Sequence, residues 1–276
     1  MTSTKPNAPR KIRVSVISDI MCPWCYVAST EIDNAIEKLQ LPDDAAIEFE
    51  LEHKPYILNS SWTEDHWEVR KEYGIKKFGE DRWNKGQQVL KSRGEAVGIR
   101  LYVCVVVSSG KMVDSLVLSG SDSIVCSPLR AHRLLKLAWN KGGSDAQSKL
   151  LKVLYQATFE RGENVSDIDL LAKYATKIGF VSDTEVSFAC YLVARWHAYA
   201  DQAVDFLKSD ELKADVQRMV TCAQRNGISG VPFTVIDGRW AISGGQSSQV
   251  YYEVCTSNET FLDTDIIGDY HRYLIN

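Results

Sequence analysis

The chain has no surplus of positive charge: its net charge is -4, from 32 lysines and arginines against 36 aspartates and glutamates. A nucleic-acid binder needs a cationic surface for phosphate backbones, so that class is set aside. Long apolar runs are missing too. Leu101 to Val107 is as long as any, far short of the roughly 20 residues that span a hydrocarbon core. Met1 to Arg10 carries Lys5, Pro6 and Pro9 but no apolar h-region, so nothing there reads as a secretory signal. These absences lead to the expectation of a cytoplasmic protein with no membrane partner. Zinc-type ligand spacing is also lacking. Cys104, Cys126, Cys190, Cys222 and Cys255 stand alone, and His53, His66, His132, His197 and His271 form no close pair, whereas a structural zinc site needs a second ligand pair. No metal is expected. Seven cysteines, an odd number in a chain without a signal, argue against a disulfide-stapled scaffold.

What is present is one close thiol pair. Cys22-Pro23-Trp24-Cys25 follows a strand-like run, Ile12 to Ser18, and precedes a helix-like run, Ala28 to Leu39. A helix N-terminus gathers unpaired N-H groups and the positive end of the macrodipole, so a sulfur placed there is favoured as thiolate, which is the nucleophile of thiol-disulfide exchange. The second cysteine, one turn on, can attack the first when it carries a mixed disulfide. Pro23 suits a first helical turn, where its missing N-H leaves no bond unmade. The spacing predicts a redox pair.

The rest of the chain supplies a frame for that pair. At 45% hydrophobic and 25% charged residues it has ordinary globular composition and length for one large domain or two small ones. Ile12, Val14 and Val16 alternate with polar residues, and Ile47, Phe49 and Leu51 repeat the pattern; with the helix between them they predict a parallel, right-handed strand-helix-strand unit. Far downstream, Phe233 to Ile236, the turn Asp237-Gly238 and Arg239 to Ser243 predict a hairpin, with a final helix over Ser247 to Val254. Between these halves the pattern is mostly helical. Ile168, Leu171, Ala175 and Ile178 follow a cap at Ser166, and Leu150, Leu154 and Ala157 form one further stripe and Leu212, Val216, Met219 and Ala223 another. The expected fold class is α/β with a large α-helical insertion, divided as 11-55, 56-225 and 226-258, with 259-276 a C-terminal extension.

Three runs resemble a known family. Asp19-Ile20-Met21-Cys22-Pro23-Trp24-Cys25-Tyr26, Ala131-His132-Arg133-Leu134 and Gly227-Ile228-Ser229-Gly230-Val231-Pro232, followed by Phe233 to Gly238 and Ser243-Gly244-Gly245-Gln246, look like the DsbA-like thioredoxin family, nearest its FrnE-like branch. The resemblance spans nearly the whole chain. It implies a thioredoxin fold split by a helical domain, disulfide oxidoreductase or isomerase activity, and a cis Val231-Pro232 bond beside the cysteines. The residues alone favour an ordinary trans proline opening a strand.

Roles follow as expectations. Cys22, at the exposed helix end, attacks, and Cys25 resolves; Pro23, Trp24, Val231, Pro232 and Asp19 support them. Trp24 either shapes an apolar rim or packs over the first helical turn. Asp19 reads as a turn-former, with proton transfer from Cys25 as its second reading, and His132 reads as a hydrogen-bonded helix residue. The buried acid that many thioredoxin-fold relatives carry six residues before the nucleophile is here Val16. Expected partners are dithiol or disulfide proteins or glutathione, with no cofactor beyond the redox-active pair. Other classes on the same scaffold are a kappa-class glutathione transferase or chromene-carboxylate isomerase, which use serine at the first position, and a polyketide-pathway tailoring protein. Residues 101-127 and 181-200 read as surplus to the family layout: products of a gene model that retains an intron, or else exposed, poorly packed loops with Cys104, Cys126 and Cys190 idle.

Overall fold

The computed structural model describes residues 10-40, 47-101, 107-108, 111-112, 123-179 and 201-256. Strand β1 (Arg10–Ser18) leads through the turn into helix α1 (Pro23–Gln40), which crosses back to strand β2 (Ile47–Pro55). β1 and β2 pair in parallel from Arg10↔Ile47 to Ser18↔Pro55, the unit that alternation predicts. The first part of the next segment carries β3 (Trp67–Val69), α2 (Arg70–Phe78), α3 (Glu80–Ala96), and the two-residue strands β4 (Val107–Ser108) and β5 (Lys111–Met112). Then come β6 (Ile124–Cys126), α4 (Leu129–Tyr155), a π-helical turn at Gln156–Glu160 and α5 (Ile168–Ile178). Helical residues 201-208 form α6, followed by α7 (Lys213–Arg225), β7 (Phe233–Ile236), β8 (Trp240–Ser243) and α8 (Ser248–Thr256).

The main sheet runs β2-β1-β7-β8. β7 lies antiparallel to β1 from Val14↔Ile236 to Ile17↔Phe233, so two segments more than 200 positions apart make one sheet. Its hairpin closes where the sequence predicts, with positive φ at both Asp237 (52°) and Gly238 (65°). Asp237 also accepts the Arg13 N-H at 2.8 Å and donates its own N-H to the Arg13 carbonyl at 2.7 Å, which fastens the turn to β1. Ile12, Val14 and Val16 face α1 and α8 through Ile32, Ala35, Leu39 and Tyr251. Ile17 faces the other way, onto Tyr56, Ala223 and Ile228. The predicted alternation therefore stops at Ser15, because the second half of β1 is covered on both faces.

Three features add to or change the sequence expectation. The segment between the sheet halves is not wholly helical, since β3 pairs antiparallel with β6 through Trp67↔Cys126 and Val69↔Ile124. The cap of α5 is Asp167, whose carboxylate accepts the Leu170 N-H at 2.8 Å, while Ser166 turns its hydroxyl to Asn164. Helix α4 bends at Gly143, whose φ of 60° lies outside helical space. That bend sets Ser144 and Gln147 against β2: the Gln147 side chain accepts the His53 N-H at 2.7 Å and donates to the His53 carbonyl at 3.0 Å, standing in for a neighbouring strand at the sheet edge.

The predicted helical stripes are packing surfaces. Leu150, Leu154, Ala157, Leu171 and Ala175 belong to one core that also contains Ile20, Met21, Cys22 and Cys25. The thiol pair thus sits where the sheet meets the helices. Arg133, without solvent exposure, donates to the carbonyls of Phe206, Leu207, Ser209 and Glu211 and so satisfies the C-terminal end of α6.

Candidate active site

The turn after β1 fixes the first cysteine. Cys22 donates its N-H to the Asp19 carbonyl at 3.1 Å, and its own carbonyl accepts the Cys25 N-H at 3.0 Å, so α1 starts at Pro23 with Cys22 in the cap position. Both cysteines are free thiols. Cys25 is fully buried; burial pushes its thiol well above the ordinary range, and a hydrogen bond with the Cys22 side chain and the Cys22 charge push it further. In a dithiol of this kind the inner sulfur holds its proton. Cys22 is 7% exposed, which corrects the expectation of an exposed helix end: this sulfur faces a cavity instead of open surface.

The downstream half of the chain meets this turn. The Val231-Pro232 peptide is cis, as the resemblance implies, and the Val231 carbonyl lies 3.6 Å from Cys22 Sγ. The Pro232 carbonyl accepts the Gly244 N-H at 2.9 Å, so the Ser243-Gly244-Gly245-Gln246 run holds the proline loop in place. Asp19 is 1% exposed. Its two carboxylate oxygens accept the N-H groups of Met21 at 2.8 Å and Leu58 at 2.7 Å. Burial raises its pKa to about 6, against the opposing pull of those bonds and of Lys77 and Arg70. The turn-forming role is therefore present, with Asp19 placed three residues beyond Val16, past the strand end.

The cavity beside Cys22 encloses about 290 Å³ and opens between the motif and helices α2 and α3. Trp24 lines it and also packs, partly buried, on the core. Trp62, Tyr73, Trp83 and Phe159 supply further wall. Phe159 comes from the π-helical turn, where it stacks on Tyr26 and lies tilted against Tyr155. Arg70 lies against it with Cζ 4.8 Å from the ring centre. Sequence reasoning missed Arg70 and Phe159, which have no motif around them; the run of aromatics at Trp62, Trp67, Tyr73, Phe78 and Trp83 was the available signal.

The remaining expectations separate cleanly. His132 is buried, with Nε2 3.0 Å from the Tyr56 carbonyl, the hydrogen-bonded helix residue that was expected. Cys126 is not in an exposed loop: it is 1% exposed on β6, with its N-H 3.3 Å from Met21 Sδ, so residues 123-127 are built into the core. Most of 101-127, all of 181-200 and the extension beyond 258 lie outside the described residues.

Comparison with known proteins adds the following. The family model described as DSBA-like thioredoxin domain matches residues 115–253, a span that starts downstream of the cysteine pair. Among solved structures, a probable DsbA oxidoreductase from Streptomyces coelicolor is 22% identical with a TM-score of 0.66, covering 92% of this chain and 94% of its own. A 2-hydroxychromene-2-carboxylate isomerase is 13% identical with a TM-score of 0.54, over 88% and 93%. A putative protein disulfide isomerase from Nitrosomonas europaea is 13% identical with a TM-score of 0.54, over 89% and 96%. At these identities the likeness is one of fold. No curated protein matches the chain.

Proposed function

The chain belongs to the DSBA-like thioredoxin domain family, and from that membership we propose that it is a thiol-disulfide oxidoreductase whose working groups are Cys22 and Cys25. The supporting observation is the asymmetry of the pair: Cys22 caps the helix and faces the cavity, while Cys25 is sealed beneath it with its thiol tied to Cys22. In the exchange, the Cys22 thiolate attacks one sulfur of a substrate disulfide and displaces the other as thiolate. Cys25 then gives up its proton and attacks Cys22, releasing the second substrate thiol, and two electrons have passed from protein to substrate. Run in reverse, the Cys22-Cys25 disulfide oxidises a dithiol. Pro23 and Trp24 shape the first turn, and the Val231-Pro232 backbone offers an edge on which an extended substrate can rest.

Dithiol or disulfide proteins, or glutathione, are the partners this reading calls for, with no cofactor beyond the cysteines, in a cytoplasmic setting and on the FrnE-like branch of the family. The fold shared with a chromene-carboxylate isomerase supports a second reading, a non-redox enzyme of the isomerase or glutathione-transferase kind. The resemblance expects serine at the first position and no pair in those enzymes, and Cys25 weighs against it. Insulin reduction by dithiothreitol decides. The expected result is turnover that disappears in Cys22→Ser and a covalent substrate adduct that accumulates in Cys25→Ser; unchanged turnover in Cys22→Ser, or glutathione conjugation without disulfide exchange, overturns the assignment.

A further inference from the structure

We infer that the cavity beside Cys22 binds a small aromatic anion, a flat apolar body whose carboxylate or sulfonate sits against Arg70. This names a substrate class for the proposed exchange and rests on that reading for its chemistry, although the binding itself does not. At about 290 Å³ the space lies near the lower end of ligand pockets, which run from about 300 to 1,000 Å³. Rings make up much of its wall, Trp24, Trp62, Tyr73, Trp83 and Phe159, with aliphatic side chains such as Leu90 between them. Such a surface gains by burying flat apolar area and offers few partners for the backbone of a peptide.

The charge inside is the second observation. Arg70 is 7% exposed and spends N-H groups on the Met21 carbonyl at 3.4 Å and the Ile124 carbonyl at 3.0 Å. A guanidinium has five N-H donors. Among the described residues no carboxylate lies within ion-pair distance of it, although the other buried arginine described, Arg133, has Glu64 at 3.8 Å. Burial lowers the Arg70 pKa only to about 10, so it stays charged at neutral pH. A buried cation with no carboxylate in contact, only the more distant charge of Asp19, is costly, and an anion delivered to it recovers part of that cost.

The surroundings share the sign. Lys77 and Arg82 also line the cavity, and Lys77 Nζ lies 5.1 Å from the centre of the Tyr73 ring and 5.7 Å from that of Phe78. Among the described residues Asp19 is the single carboxylate in the lining; its oxygens accept two backbone N-H groups, and its charge offsets part of that on Arg70 and Lys77. Three cations against one carboxylate leave a net positive lining that selects an anion, and the rings favour an aromatic one.

For an aryl disulfide such as 5,5'-dithiobis(2-nitrobenzoate), the Cys22 thiolate attacks one sulfur, the S-S bond breaks and one aryl thiolate leaves. Cys25 loses its proton to solvent and displaces the second aryl thiolate from Cys22. The cysteines are oxidised to a disulfide and the aryl disulfide is reduced by two electrons.

The test uses the full chain and two probes. Calorimetric titration of Cys22→Ser protein with naphthalene-2-sulfonate measures binding with no redox step, and Arg70→Gln in that background is expected to weaken it at least tenfold. Should Arg70→Gln fail to fold, Lys77→Gln with Arg82→Gln, both exposed positions, decides instead, with a several-fold loss expected. With all cysteines present, the rate with the dianionic aryl disulfide relative to neutral 2,2'-dithiodipyridine is expected to fall in the same variants. No binding of the sulfonate, or binding that ignores these substitutions, overturns the inference and leaves the redox reading standing. Arg70-dependent binding in a protein that exchanges no disulfide sinks the redox reading and leaves the site.

Discussion

The indole of Trp83 on α3 occupies the space that a β-carbon on Gly74 of α2 would take. Two helices can approach this closely only with glycine at the contact, and the ring so placed is part of the cavity wall. Gly74→Ala must push the indole aside. The expected cost is about 1–3 kcal/mol of stability, as for other over-packed contacts, read as a lower urea midpoint. A displaced indole also changes Trp83 fluorescence, and an alanine variant with unchanged midpoint and spectrum would show that the helices separate freely.

Asp19 holds two backbone N-H groups and stands beside the inner thiol, so its two possible roles call for separate measurements. Replacement by Asn puts an amide where two N-H donors need acceptors, which is expected to cost about 1–3 kcal/mol for each donor left unpaired. If Asp19 also accepts the Cys25 proton, resolution of a mixed disulfide on Cys22 slows by roughly 100-fold, the lower end for positioned acid-base groups, and its pH profile loses an inflection near the Asp19 pKa of about 6. Rapid-quench alkylation from pH 5 to 8 reads this. A less stable Asp19→Asn protein with an unaltered profile would leave the residue as a turn-builder only.

Local pattern carried much of this site into view. Cys22, Cys25 and Pro23 lie within four consecutive positions between a strand pattern and a helix pattern, and the hairpin at Asp237-Gly238 follows from turn chemistry alone. The meeting of Cys22 with Val231 across 209 positions was legible only through the family resemblance, since no periodicity encodes which strand comes to lie beside β1. Arg70 and Phe159 were illegible because their environment is tertiary. An arginine after a short strand reads as solvated surface until β6, the Met21 carbonyl and the π-helical turn close around it. The degree of exposure of Cys22 was misjudged for the same reason: a helix N-terminus is open in isolation, and here α2 and α3 wall the space in front of it.

Gln147 replaces a missing strand at the edge of β2, where it satisfies both backbone groups of His53. Gln147→Leu keeps the size and removes the bonds, which leaves a buried N-H and a buried carbonyl without those partners. The expected loss is about 1–3 kcal/mol per group, with faster amide exchange at His53. Exchange at that amide indistinguishable from the parent protein would mean that another group takes over the edge.

The buried histidines give the fold a pH dependence of definite sign. Burial lowers His132 from 6.5 to about 4, against a hydrogen bond to the Tyr56 carbonyl that favours the proton, and lowers His53 to about 3. Between pH 6.5 and 4 the unfolded chain takes up protons that the folded chain refuses, so stability falls as the solution is acidified through that window. At pH 5 the His132 contribution is on the order of 2 kcal/mol. Asp19 acts in the opposite direction: the folded chain keeps its carboxyl protonated up to about pH 6, the unfolded chain only to about 4, so acidification through that interval favours folding. Asp33, also raised to about 6 by burial, acts with Asp19; the two histidines are shifted further than the two aspartates, so the urea midpoint is still expected to drop from pH 7 to pH 4.5, by less than the histidines alone would give. His132→Gln retains a donor for the Tyr56 carbonyl and cannot titrate, so its midpoint should fall less steeply. A parent midpoint that holds level or climbs over this range would show that His132 and His53 gain protons within the folded protein.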